Sequence, residues 1–501
     1  MAREEIGDTK RVSMIGKRDR DHTFQAIFRK ELLEGFVTRR FLAVLVLCLI
    51  VFPVGSSMSR RDYQSRLQNF QEAQRLYEST KKTVGDVLFK PGGAKALRAP
   101  SGLSFLSTGL EIVLPDAAET VKKFNTSYAE MRLTNTQGLD NLYGFFHGPL
   151  DFSFLVTVVM TFLALAFSYN AVSGEKESGT LGLMLSNSVL RSRIVTAKAA
   201  AQFLMLAVPF LAGVALSLAL APPPASAAGA ASPWPAVLSA VAFSLLIIAV
   251  FFNLGLLVSS LTRQAVTSIV VLLLVWTALF AIVPRLSVIA TRLLAPAPSE
   301  QAFGQEKSRI RLANEKACEA EVDALIKANP IPQGRDSIGP EWQKLTADFR
   351  AKQDAIRVKY QSDLAAEIGK ARQTYERKRD AQIKTSMLVA RISPVSCYVR
   401  PMAEIAGTGW LEYKRFADAV DRFLGALNDK IFSKNRFTRM EGGANISFGG
   451  KANDPAPRMP DVRIPFGDVA RDVLPDFVLL LLFNALFFAG AFVAFLRYDP
   501  R

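Results

Sequence analysis

Long uninterrupted apolar runs alternate along this chain with long polar stretches. A run of about 20 apolar residues crosses a bilayer as a helix. Six runs qualify: 41–58, 150–169, 199–221, 236–258, 266–283 and 477–496. The polar stretches carry helical periods of their own. Phe24, Ile27, Phe28, Leu32 and Phe36 share one helix face while Arg29, Lys30, Glu31 and Glu34 lie elsewhere. That pattern predicts an amphipathic helix in the membrane interface, leading into the first run. Beyond 58, Tyr63, Leu67, Phe70, Gln74 and Tyr77 continue the first run outward as a heptad-like stripe. Pro91-Gly92-Gly93 and Pro100-Ser101-Gly102 mark turns.

The second long polar stretch is the richer one. Glu306 to Ala328 reads as a charged helix closed by Asn329-Pro330. A second helix starts after Pro340 and runs to about Ala390, with an apolar stripe at Trp342, Leu345, Phe349, Ile356, Tyr360, Leu364, Ile368, Ala371 and Tyr375. Mixed charge around such a stripe predicts a coiled-coil hairpin. At a rise of ~1.5 Å per residue, about 50 residues reach roughly 75 Å. Ile405 to Trp410 reads as a turn. Phe416, Val420, Phe423, Leu427 and Ile431 then form an amphipathic helix, expected to rest on the outer leaflet or cap a lateral opening. Residues 442–465, rich in Gly, Pro and Asn, return the chain to the last run. The outer segments are expected to be helical, not β-rich. The fold class is therefore an all-α membrane protein: six transmembrane helices with a helical, partly coiled-coil extracytoplasmic domain.

Lysine and arginine in the short loops set the orientation. The segment before the first run includes Arg29, Lys30, Arg39 and Arg40; the loop after the second holds Lys176, Arg191, Arg193 and Lys198; the turn after the fourth holds Arg263. The loop 222–235 has no charged residue. Both termini are expected in the cytoplasm of an integral inner-membrane protein. The organisation is then a cytoplasmic region 1–40 with its interfacial helix, a first span 41–58 and a first extracytoplasmic segment 59–149. Four spans follow within 150–283, then a second extracytoplasmic segment 284–476, and the last span and tail at 477–501. The first span follows some 40 polar residues, so it is expected to be an uncleaved signal anchor.

The formal net charge is +16. No dense basic block with interleaved aromatics accompanies it, so nucleic acid is not an expected partner; the surplus favours anionic membrane lipids. Cys48 lies inside a span, while Cys318 and Cys397 fall in the second outer segment, where they could pair or stay free. Two histidines, His22 and His147, leave no basis for a His triad or zinc cluster. No Gly-x4-Gly-Lys-Ser/Thr phosphate loop exists; Gly449-Gly450-Lys451 is followed by Ala452. No catalytic, cofactor or metal site is expected in this chain, which should not itself bind or hydrolyse ATP. Asn253, Thr277 and Asn484 are polar positions inside spans, of the type that joins helices to each other.

The segment 174–193 lies between two spans yet is charged at both ends and amphipathic in the middle, with Leu181, Met184, Leu185 and Val189 at helical spacing. Glu175, Glu177, Gly179, Thr180 and Leu181, followed by a short helix and the basic stop Arg191, Arg193 and Lys198, resemble the cytoplasmic coupling segment of type-2 ABC transporter permeases. The interfacial helix, the Gly-Thr-Gly-Trp turn and the ending Phe495 to Arg501 are similar to that family as well. The resemblance implies a permease subunit without a catalytic site, an exporter component, and the scarcity of polar residues within the spans suits an amphiphilic substrate of unidentified kind. The subunit would pair with a second copy or a sister permease, while a separate ABC ATPase carries ATP and Mg and docks on the coupling segment. Leu181, Met184 and Leu185 would enter a groove on the ATPase, and Glu175 and Glu177 would favour the positive start of the short helix. Two alternatives stand beside export: force relayed through the hairpin to a periplasmic partner, and a membrane scaffold without an ATPase.

Orientation is open to direct measurement. In a background lacking Cys318 and Cys397, a cysteine placed at Gly334 should react with an impermeant thiol reagent in intact cells, and one at Ser186 should not. The reverse labelling pattern would overturn the assigned orientation.

Overall fold

The computed structural model describes residues 24–80, 83, 95–121, 130–134, 150–180, 190–224, 232–329, 340–432, 455 and 464–498. They form two compact units, one of residues 283–392 and one of the remainder. Helix dominates both, and six helices are long and apolar enough to cross a membrane.

The larger unit begins with helix α1 over 24–36 and turns at Val37-Thr38 into α2, Arg39–Thr80. The heptad-like stripe does continue the first span outward, as one helix to Thr80. The remaining spanning helices wholly in this unit are α3 (Phe152–Glu177), α4 (Arg191–Leu220), α5 (Trp234–Leu261) and α12 (Phe466–Leu496), while α6 (Ala265–Thr277) opens the fifth candidate span, Ala265–Leu294. Two spans carry π segments, Leu155–Met160 within α3 and Ala278–Ile282 after α6. A π segment leaves carbonyls without their usual partner, and Ser393 Oγ donates to one of them, Leu279 O, at 2.7 Å.

Helix α5 is the centre of the bundle. Ile247, Ile248, Phe251, Phe252 and Leu256 are among its fully buried side chains. Lipid is as apolar as leucine, so association between spans relies on close packing and polar contacts. Glycine supplies the first. A Cβ on Gly213 of α4 would lie 2.7 Å from Cys48 O of α2, and one on Gly255 of α5 would lie 1.8 Å from Ser168 Oγ of α3. Asparagine supplies the second: Asn253 Nδ2 donates to Asn484 Oδ1 at 2.9 Å, joining α5 to α12.

The fold class is all-α as expected, with one small sheet added where α3 begins. Strands β1 (Lys95–Leu97), β2 (Ala117–Val121) and β3 (Glu130–Thr134) form an antiparallel sheet in the order β1-β2-β3, with Ala96 opposite Ala118 and Ala118 opposite Leu133. The strands are three to five residues long, too short for a period of two to stand out in sequence. Helix α10 (Ser396–Ile405) and helix α11 (Trp410–Phe432) complete this region. The apolar face of α11 is not free for a leaflet: Phe416 and Val420 form one buried cluster with Ala96 and Ala118 of the sheet. Leu427 and Ile431 have no described side-chain environment. The residues of 442–465 fall outside the described set apart from Pro455 and the last two, 464 and 465.

The turn between α10 and α11 is explained atom by atom. Gly407 has φ +68°, which favours glycine. Gly409 has no room for a Cβ, because Glu404 Oε2 would lie 2.3 Å away. The buried Glu404 carboxylate in turn accepts from Trp410 N at 3.0 Å and Leu411 N at 3.2 Å, capping the start of α11. Nearby, Arg400 of α10 pairs with the fully buried Asp476 of α12 and with Asp472 at 2.7 Å.

The smaller unit consists of α7 (Val283–Leu294), α8 (Glu300–Ala328) and α9 (Pro340–Ala390). Helix α8 starts six residues earlier than expected, where Ser299 caps it by accepting from Ala302 N at 3.1 Å. Arms α8 and α9 run antiparallel: Phe303 stacks on Tyr375 at 4.6 Å, Asn314 Nδ2 donates to Tyr360 O at 3.0 Å, and Lys359 pairs with Glu321 at 3.2 Å. The α9 stripe from Phe349 to Tyr375 is half-buried between exposed neighbours, as its spacing predicts. Leu345 departs from the stripe and is exposed, and the side chain of Trp342 lies outside the described set. Cys48, Cys318 and Cys397 are all free thiols.

Burial pushes the Glu404 carboxyl up to about 7, partly opposed by the two backbone donors of α11. A carboxyl raised above its unfolded value stabilises fully below that unfolded value and loses the contribution as pH rises through the folded one. The melting temperature of the purified protein should therefore carry a downward slope between pH 5 and 8, and Glu404→Gln should flatten it. Identical slopes in both proteins would overturn the assignment.

Candidate functional site

Segment 174–193 enters the structure from the end of α3. Ser173–Glu177 is a short helical turn ended by Gly179, whose φ of +72° is the left-handed conformation common just after a helix. Thr180 follows, and its hydroxyl lies 2.8 Å from Ser178 Oγ. Leu181, Met184 and Leu185, with Val189, lie outside the described residues.

The charged residues of the turn reach to helix ends elsewhere in the bundle. Glu177 Oε2 accepts from Ala265 N at 3.1 Å, at the start of α6. Lys176 Nζ donates to Ser260 O and, at 3.1 Å, to Thr262 O at the end of α5, and sits 4.7 Å from the centre of the Tyr498 ring. Arg191, at the start of α4, donates to Leu496 O at 3.2 Å and Tyr498 O at 3.0 Å, closing the end of α12. Each pairing follows one rule: an anion meets a positive helix start, a cation meets a negative helix end. Ser259 Oγ completes the layer by accepting from Val172 N and Ser173 N, both at 3.0 Å.

Glu175 takes a different partner. Its carboxylate contacts Lys198 Nζ of α4, and Glu31 of α1 approaches the same ammonium at 3.7 Å. The lysine side chain is 11% exposed and each carboxylate 20%. The two glutamates of the turn were expected to serve the short helix that follows them. That helix lies outside the described residues; among the described ones Glu177 meets the start of α6 and Glu175 meets Lys198.

Of the interfacial residues, Phe24 and Phe28 stack at 6.0 Å and are half-buried with Leu32, whereas Phe36 is more exposed and meets Phe41 edge-on at 4.8 Å. Gly35 is buried against Met205 of α4, so α1 abuts the bundle next to the Glu31 contact. The structure thus brings Glu175, Glu177, Gly179, Thr180 and α1 to one end of the bundle. Sequence reasoning missed Glu31, Ala265, Ser259 and Tyr498 as members. The only sequence signal for them was proximity to the ends of apolar runs. Among the described residues, no cluster of three or more His, Cys, Asp or Glu side chains is placed to hold a metal ion.

A family model described as ABC-2 family transporter protein matches residues 25–409. No curated protein matches the chain.

Lys198 is the point where the layer can be broken most simply. Lys198→Met leaves two mostly buried carboxylates without their cation, which should cost roughly 1–3 kcal/mol. Adding Glu31→Gln and Glu175→Gln to that variant should recover part of the loss in thermal melting. An unchanged melting temperature for Lys198→Met would show that the layer does not hold the bundle.

Proposed function

The chain belongs to the ABC-2 family of transporter proteins, and from that premise we propose that it is the permease half of an ABC exporter driven at segment 174–193 by a separate ATPase. The family assignment and the six spanning helices make it a membrane permease of an ABC transporter. One observation carries the finer proposal. The turn that opens this segment is tied by charge to the ends of α5 and α6 and to Lys198 of α4, and the segment's closing residue Arg191 is tied to the end of α12. A push delivered to the turn 174–180 reaches α4, α5 and α6 through these contacts, and one delivered to Arg191 reaches α12.

The division of labour within the segment follows. Residues 174–180 hold the permease side, and Leu181, Met184 and Leu185 supply the apolar face for the ATPase. ATP and Mg are bound by that partner. The spans expose apolar surface almost throughout, and the polar positions Asn253 and Asn484 are engaged with each other. Such an interior suits an amphiphilic substrate better than an ion or a proton. Pairing with a second copy or a sister permease, with both termini in the cytoplasm, completes the proposal.

Leu181→Asp places a charge in the docking face, which is costly unless paired. The permease should remain folded and in the membrane while the ATPase is lost on copurification and its stimulated hydrolysis falls. Full retention of the ATPase with unchanged stimulation would remove this segment as the docking element.

A further inference from the structure

At the opposite end of the bundle, where α3 begins, a cleft of about 240 Å³ lies between α2, the residues after α4 and the connection from β1 to β2. Ser56, Arg60, Tyr63 and Gln64 line one wall, and Phe105 and Pro222 face them. We propose that this cleft binds the phosphate-bearing headgroup of an anionic membrane lipid. The site rests on the chain spanning a membrane and is independent of what the permease exports.

Charge is the first argument. Arg60 is the one charged residue lining the cleft. Its neighbouring carboxylates are taken: Asp62 pairs with Arg66 at 3.0 Å and Glu111 with Arg66 at 2.7 Å. Among the described residues Arg60 has no carboxylate partner. The Arg60 guanidinium, with Tyr63 and Gln64 lining the same cleft, offers a donor set that suits a phosphate.

Depth is the second. The first apolar run ends at Met58, so at ~1.5 Å per residue Arg60 stands about 3 Å beyond the hydrocarbon edge. The headgroup layer on each side of a bilayer is roughly 5–8 Å thick, so the guanidinium is held at the level of the phosphates. Phe105 and Pro222 provide apolar surface for the glycerol and the first acyl carbons. Size is the third. Pockets for drug-sized molecules hold roughly 300–1,000 Å³, so this smaller cleft admits a headgroup while the tails stay in the bilayer.

The test uses the full chain in nanodiscs of mixed phosphatidylglycerol and phosphatidylcholine, with retained lipid counted by native mass spectrometry. Wild type should retain phosphatidylglycerol preferentially. Arg60→Gln and Arg60→Ala should lower that preference roughly tenfold, the scale of one lost charge-assisted hydrogen bond. Arg61→Gln, at an exposed position lining a separate groove on α2, should keep it. Glycerol 3-phosphate, added as the soluble headgroup, should compete only weakly. Equal retention in wild type and both Arg60 variants would overturn the site. An equal loss in Arg61→Gln would overturn it too, by showing a general surface charge effect. Arg60-dependent binding of glycerol 3-phosphate without any lipid preference would overturn the lipid as its occupant.

Discussion

Between helices bathed in lipid there is little hydrophobic drive to associate, so a bundle of spans depends on close packing and on polar groups that have nowhere else to go. In this protein the polar groups are gathered at the two ends of the spans. At one end, Lys198 sits between Glu31 and Glu175, and charged residues of the adjoining loop close the termini of α5, α6 and α12. At the other, Arg400 neutralises Asp476 inside the structure and holds α10 against α12. Each arrangement pairs charges that would otherwise be buried without a partner.

The consequence for function lies in where the two kinds of contact are placed. Mid-span contacts are mainly apolar, supplemented by the Asn253–Asn484 pair, by Trp276 Nε1 donating to Thr161 Oγ1 and by glycines that let backbones approach. The end contacts are directional and charge-assisted, and they break or hold as units. Segment 174–180 belongs to the second kind. It therefore ties several helix ends to one another.

The region where α3 begins shows the same economy in a different form. A three-stranded sheet, a buried glutamate and a Gly-Thr-Gly turn fit together so that the apolar face of α11 is covered within the chain. The cleft lined by Arg60 lies in the same region, and among the described residues Arg60 has no carboxylate partner. The pair formed by α8 and α9 is organised separately, through a half-buried stripe and arm-to-arm contacts of its own.

The long helices with a sustained apolar period were legible in the sequence. The six spans, the continuation of the first helix to Thr80, the α8–α9 hairpin and its stripe all rest on periods of a few residues, and length and composition alone settle them. The family resemblance was legible for the same reason, being carried by a short motif. The sheet was not, since strands of three to five residues leave no period to read. The amphipathic pattern of α11 showed that one face must be covered and said nothing about what covers it. Glu175 and Glu177 were recognisable as part of the motif, but their partners stand 23 and 88 residues away. Arg400 and Asp476 lie 76 residues apart, and each looks like an ordinary solvated charge in the sequence. Which charge meets which helix end depends on how the helices are arranged around α5, so only the tertiary structure could decide it.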